Sequence, residues 1–194
     1  MKRARRSLLL FLLLAVLSQI SPAQETHLSH RARKLKERWA ELQAKPTDPS
    51  TQQRYLIVFP HDYKSFLELF EFNRELYDGH KYIDVLPGLA TSHGKEVGKL
   101  LVGLSKDAHY DADAPSYLQH ATATYGSQHT QMFADLLKSL TPEKQEHLIA
   151  FLADVENPAA YPEYQNIIDH LKVLRDNDIA RKFEIAREKR SGQP

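Results

Sequence analysis

The sequence predicts an all-α fold, a single-domain bundle of about seven helices, with solenoid-like stacking of helix pairs as an alternative arrangement. The chain has 194 residues, of which only seven are glycine and 26% are charged, and this composition favours helices over a β-sandwich. Capping side chains next to prolines mark helix starts at Asp48-Pro49, Asp113-Ala114-Pro115 and Thr141-Pro142. Apolar residues also recur at steps of three and four along most of the chain.

These stripes and caps place the predicted helices in order. They cover 25–44, 49–59, 62–77, two or three short helices within 80–106, one long helix from Pro115 to Leu140 with His129 in its stripe, a helix capped by Thr141, one over 164–174, and a last one after Asp176-Asn177-Asp178.

The segment 55–59, with the sequence YLIVF, is the one ambiguous element. Its β-branched and aromatic residues suit a strand, but no second strand-like segment offers a partner, and a single strand is not stable alone. We therefore predict a buried helix that begins after Asp48 and ends before Pro60.

The amino terminus has the pattern of a cleavable secretory signal peptide. Basic residues precede a run of ten apolar residues at 8–17, which is too short to span a membrane, since a span needs about 20. Small residues at Ser21 and Ala23 then suit cleavage before Gln24. The predicted organisation is a signal peptide at 1–23, a basic amphipathic helix within 24–47, a helical domain at 48–190 and a disordered tail at 191–194, in a periplasmic or secreted protein.

Removal of residues 1–23 changes the charge balance. The remaining chain has 22 basic and 25 acidic residues, a formal charge of −3 with neutral histidines. A protein that neutralises many phosphates needs a basic surplus, so nucleic acid is not expected as a partner. The chain has no cysteine, so an exported domain of this sequence depends on packing alone for its stability.

Ten histidines are the most unusual feature of the composition. The spacings of His27 with His30 and of His80 with Asp84 suit one face of a helix, but neither forms a known zinc motif. We therefore expect no high-affinity zinc site and no cofactor. The sequence also lacks a nucleophile elbow, a phosphate loop and a dinucleotide fingerprint, so no catalytic residue is nominated.

Three functional classes remain open. The first, which we favour, is an exported domain that binds a protein, for example an immunity or inhibitor protein against a secreted toxin. The second is a periplasmic hydrolase or metalloenzyme using histidine and aspartate, and the third is an envelope protein that contacts the membrane surface through its basic first helix. For the first class we expect the contact surface around the loop 106–113, because carboxylates steer basic partners and tyrosines anchor interfaces. Its candidate binding residues are Asp107, Tyr110, Asp111, Asp113 and Tyr117.

Overall fold

A computed structural model of the chain describes residues 28–77, 79–109, 113–155 and 161–191. These residues form a single all-α domain without a strand, which confirms the predicted fold class. The signal peptide at 1–23 and the tail residues 192–194 lie outside the described residues. The described helices are α1 His30–Ala44, α2 Pro49–Val58, α3 Tyr63–Phe70, α4 His80–Asp84, α5 Leu86–Ser105, α6 Asp113–Gln128, α7 Thr130–Lys138, α8 Pro142–Ala153, α9 Glu163–Val173 and α10 Asn177–Ser191.

Side-chain caps begin several of these helices, as the sequence predicts. The Asp48 carboxylate accepts hydrogen bonds from the backbone N–H groups of Ser50 and Thr51, and Asp62 accepts one from Ser65 at 2.8 Å. The Thr141 hydroxyl accepts from the third residue of its helix in the same way. Each cap satisfies a backbone donor that has no partner within the helix, so these side chains fix where the helices begin. The segment 55–59 indeed belongs to helix α2 up to Val58.

Three predicted boundaries are wrong. Helix α1 begins at His30, after its cap Ser29, and not at residue 25, since Leu28 and Ser29 are not helical. Helix α3 ends at Phe70, so it does not reach Tyr77. Asn73, which lies within the helix predicted over 62–77, instead has a φ of 63° in the turn that follows α3, a left-handed conformation that asparagine tolerates better than most residues. Finally, α10 includes Ser191, one residue beyond the predicted end of the domain.

The prediction of one long helix from Pro115 to Leu140 is also wrong. The helix is interrupted at His129, which separates α6 from α7. His129 has φ −128° and ψ 44°, and His93 bends α5 with nearly the same values, φ −132° and ψ 40°. The His129 side chain is half-buried and its ring centroid lies 5.1 Å from that of Tyr125. The break at His129 divides one predicted helix into two, and the described residues form ten helices, against about seven predicted.

Helix α6 lies at the centre of the bundle and contacts α4, α5, α7, α8 and α9. In a solenoid each repeat contacts only its neighbours, so this arrangement is a bundle and not a stack of helix pairs. The core contains several fully buried aromatic side chains, among them Tyr55, Phe66, Tyr125, Phe133 and Phe183. No helix in the described ranges combines the length and the apolar character that crossing a membrane requires.

Helix α1 packs against α2 and belongs to the same core. Ala32, Leu35 and Leu42 of its apolar stripe are almost completely buried, and the Trp39 ring lies 5.2 Å from that of Tyr82. The stripe therefore faces the domain, whereas Arg33, Lys34 and Lys36 are exposed on the other side.

Buried tyrosines connect these helices through their hydroxyl groups. Tyr55 donates a hydrogen bond to the carbonyl of Tyr82 at 2.6 Å, and Tyr125 donates one to the carbonyl of Gly94 at 2.9 Å. Burial raises the pKa of Tyr55 well above its ordinary value and that of Tyr125 to about 12. Both hydroxyl groups consequently stay protonated and act as hydrogen-bond donors within the core.

Candidate functional site

Of the predicted binding residues, Asp107 and Tyr117 have described side chains, and the two lie in separate places. Asp107 follows the end of α5, and its carboxylate lies 2.6 Å from the ammonium of Lys144 on α8, with both side chains partly exposed. The hydrogen bond that Lys144 donates to Asp107 raises the pKa of Lys144 above its ordinary value. Tyr110 and Asp111 lie outside the described residues, and for Asp113 only the backbone, at the start of α6, is described. That Asp107, Asp111 and Asp113 form one acidic surface thus stays a prediction.

The beginning of the loop 106–113 is anchored on two sides. The Tyr63 hydroxyl donates a hydrogen bond to the His109 carbonyl at 3.0 Å and accepts one from the His109 backbone N–H at 3.3 Å. Nε2 of His147 lies 2.7 Å from the Ala108 carbonyl, and because a carbonyl only accepts, this nitrogen carries the proton. The rings of His109 and His147 meet edge to face with their centroids 5.0 Å apart. Helices α3 and α8 thereby fix the segment that leads into the loop.

Tyr117, the fifth predicted residue, lies on α6 at the wall of an open cleft of about 640 Å³. The cleft forms where α4, the first turn of α5, α6 and Tyr161, two residues before α9, meet. Its described lining residues are Asp84, Pro87, Gly88, Ser116, Tyr117, His120, Ala121, Thr124, Gln128 and Tyr161.

Aromatic pairs hold both tyrosines of the cleft. The half-buried Tyr117 ring lies 5.4 Å from the ring of His80, measured between centroids, and Tyr161 lies 5.6 Å from His120 in an edge contact. Tyr161 is 37% exposed, so part of its ring remains open to a ligand. Asp84 is exposed, and among the described lining residues it is the only one with a permanent charge.

A second groove of about 730 Å³ runs between α8 and α10. Acidic side chains of α8 face basic side chains of α10 across a floor of alanine and isoleucine. Arg190 lies 2.7 Å from Asp154, and Lys182 is hydrogen-bonded to Gln145. These contacts connect α8 and α10, so some of the polar side chains along the groove already pair with one another.

The histidines do not assemble a metal centre within the described ranges. No group of three or more histidine, aspartate or glutamate side chains there has an arrangement that can hold a metal ion. His80 and Asp84, whose spacing suggested paired ligands, instead contribute an aromatic contact to Tyr117 and a carboxylate to the cleft. Comparison with protein-family models, with curated proteins and with solved structures gives no match.

Sequence reasoning identified Tyr117 but missed the rest of the cleft. Asp84, His120 and Tyr161 belong to separate elements, and no spacing in the chain links them. Apart from Tyr117, the four-residue spacing of His80 and Asp84 is the one sequence signal that involves this cleft, and it suggests two metal ligands on one helix face.

Proposed function

We propose that the domain acts by binding another protein outside the cytoplasm, with the cleft beside α6 as its principal contact surface. The observation that carries this proposal is the pair of tyrosines, Tyr117 and Tyr161, at the wall of an open cleft. Tyrosine is enriched among residues that dominate binding energy, because it offers a large amphipathic area with few rotatable bonds. The aromatic contacts with His80 and His120 restrict both rings further, which reduces the entropy lost on binding.

Neutralisation of a secreted toxin is one role that fits such a domain. An immunity or inhibitor protein acts through a preformed surface on a stable core, and here the cleft is built on helices of that core. The predicted export and the formal charge of −3 would bring the surface into contact with basic partners outside the cell.

One observation favours a second candidate, a hydrolase or metalloenzyme. His109 and His147 have adjacent rings, and a histidine pair is a common start for acid–base or metal chemistry. However, Nε2 of His147 already donates its proton to the Ala108 carbonyl, and the nearby Asp107 carboxylate is paired with Lys144.

The third class, an envelope protein at the membrane surface, would use α1. The apolar stripe of α1 packs on the domain, so contact with a membrane would depend on the exposed cations of this helix.

Quantitative capture from the native envelope tests the proposal. The wild-type protein and a Tyr117→Ala, Tyr161→Ala variant serve as bait, with an Ile57→Ala, Phe72→Ala variant as the matched control. Ile57 and Phe72 are each 62% exposed and do not line the cleft, so this control removes apolar surface elsewhere. Circular dichroism verifies that all three proteins are equally folded.

We expect the wild type and the control to enrich the same protein, and the tyrosine variant to lose at least about tenfold of that enrichment. Equal enrichment by the tyrosine variant would move the interface away from the cleft. Hydrolytic turnover by the purified protein, abolished by His109→Ala and accompanied by no captured protein, would replace the binding function with an enzymatic one.

A further inference from the structure

We infer that the cleft accommodates a positively charged side chain, lysine or arginine, of the protein partner; this inference rests on the proposed function and names the chemistry that its surface recognises. Asp84 is the only permanently charged residue among the described lining residues, and it is negative. The walls beside it are aromatic, formed by Tyr117, Tyr161 and His120. A carboxylate combined with tyrosine faces is a favourable environment for a cation, because the ring quadrupole and the carboxylate both attract positive charge.

The alternatives to a cation fit less well. An anionic ligand would meet Asp84 without any lysine or arginine among the described lining residues to offset the repulsion. A purely apolar ligand would cover Asp84 and remove water from a carboxylate without giving it a partner, which is unfavourable. A basic side chain avoids both costs, since it pairs with Asp84 while its methylene groups cover the aromatic walls.

The uncharged polar groups of the cleft suit the same ligand. Ser116, Thr124 and Gln128 supply oxygen atoms that accept hydrogen bonds from ammonium or guanidinium N–H groups. Among the described lining residues, Thr124 has a buried hydroxyl without a hydrogen-bond partner. A buried group of this kind gains when a ligand donor reaches it.

The size of the cleft agrees with a side chain presented by a protein. Its volume of about 640 Å³ exceeds what one lysine or arginine side chain fills and lies in the range of ligand sites, about 300–1,000 Å³. The remaining space accommodates the residues that flank the basic side chain in the partner.

An arginine probe with an uncharged isostere tests the inference directly. Protein labelled with ¹⁵N and expressed from the full-length sequence is titrated with N-acetyl-arginine methylamide and, separately, with N-acetyl-citrulline methylamide, which has nearly the same shape without the charge. We expect the arginine probe to shift amide signals at Gly88, Ser116 and Ala121, which line the cleft, and to bind about threefold to tenfold more tightly than the citrulline probe.

Asp84→Asn should remove most of this difference, because the amide keeps the shape and loses the charge. Asp135→Asn is the matched control, since Asp135 is an exposed carboxylate on α7 that does not line the cleft. Equal affinity for both probes, unchanged arginine binding by Asp84→Asn, or shifts confined to residues outside the cleft would overturn the inference.

The same variants separate this inference from the proposed function. If the tyrosine variant loses the captured protein but Asp84→Asn alters neither capture nor probe binding, protein binding stands and the cation site is refuted. If the arginine probe binds with dependence on Asp84 but the wild type captures no protein, the cation site stands and the proposed function fails.

Discussion

Gly98 lies on the buried side of α5, where Tyr125 of α6 packs against it. A Cβ atom at this position would lie 2.6 Å from Cζ of Tyr125 and 2.8 Å from Cδ1 of Leu136, far inside van der Waals contact. Tyr125 cannot move away easily, because it is completely buried and its hydroxyl is hydrogen-bonded to the Gly94 carbonyl. The glycine therefore sets the distance between the two helices.

At the scale of single residues, we predict opposite effects for two glycines of the same helix. Glycine to alanine within a helix normally stabilises by about 1 kcal/mol, but Gly98→Ala should destabilise the protein by about 1–3 kcal/mol through overpacking. Gly103→Ala is the control, because nothing lies within 4 Å of its added Cβ, and it should stabilise by about 0.5–1 kcal/mol. Chemical denaturation of both variants measures the difference, and a stabilising Gly98→Ala would contradict the packing.

The cleft shows why individual site residues were only partly predictable. Tyr117 follows a helix cap and stood out as an aromatic residue beside aspartates, so local sequence sufficed to nominate it. Asp84 and Tyr161 acquire their role only because α4, α6 and the start of α9 meet, and that contact depends on the packing of the whole bundle. Asp107 was expected to be a free steering charge, whereas the fold pairs it with Lys144 from a distant helix.

At the scale of elements, periodicity identified the helices but not their breaks. The apolar stripe continues across His129, because α6 and α7 both bury their apolar faces in the same core. The break instead depends on local chemistry: Gly126 and Ser127 are poor helix formers, and the Thr130 hydroxyl is hydrogen-bonded to the Gly126 carbonyl at 2.9 Å. Caps were easier to predict than breaks, since an aspartate before Pro49 has a strong positional preference.

The caps also predict how stability depends on pH. Hydrogen bonds from Thr51 and from the backbone N–H groups lower the pKa of Asp48, and those from Ser65 lower the pKa of Asp62. A carboxylate with a lowered pKa in the folded state stabilises it fully above its unfolded pKa, about 3.9 for aspartate, and this stabilisation is lost as the pH falls through the lower folded pKa.

We therefore expect the melting temperature of the wild type to fall in acid, below about pH 4, and Asp48→Asn to flatten part of that fall. Asparagine remains a good cap, so the variant should resemble the wild type near about pH 7. An Asp48→Asn, Asp62→Asn double variant should flatten the curve further. Melting curves of the three proteins that stay parallel from about pH 7 to about pH 2 would show that the caps do not contribute to acid sensitivity.

At the scale of the whole molecule, the bundle is organised around α6, which connects the core to the cleft. Residues 118, 122 and 125 of this helix are buried, while Tyr117 and His120 on its other side form part of the cleft wall. The proposed binding surface thus lies on a helix that the core holds in place. A rigid surface of this kind loses little entropy on binding.

The last prediction concerns export of the whole chain with cleavage after Ala23. Four basic residues, ten consecutive apolar residues and the small residues Ser21 and Ala23 motivate it. The described contacts begin shortly after that point, since Leu28 packs against the core and Ser29 donates from its backbone N–H and its hydroxyl to the Glu75 carboxylate, each at 2.6 Å. Mass spectrometry of the exported protein should identify Gln24 or a close neighbour as the amino terminus.

An Ala23→Phe variant provides the control, because signal peptidase requires a small residue before the cut. It should remain uncleaved and membrane-associated, whereas the wild type is released at its processed mass. Processed protein should also unfold at the same temperature as protein expressed without residues 1–23, because cleavage after Ala23 leaves the same sequence. Exported wild type that still carries residues 8–17, or retention of the wild type inside the cell, would contradict the prediction and remove the compartment in which the proposed partner is expected.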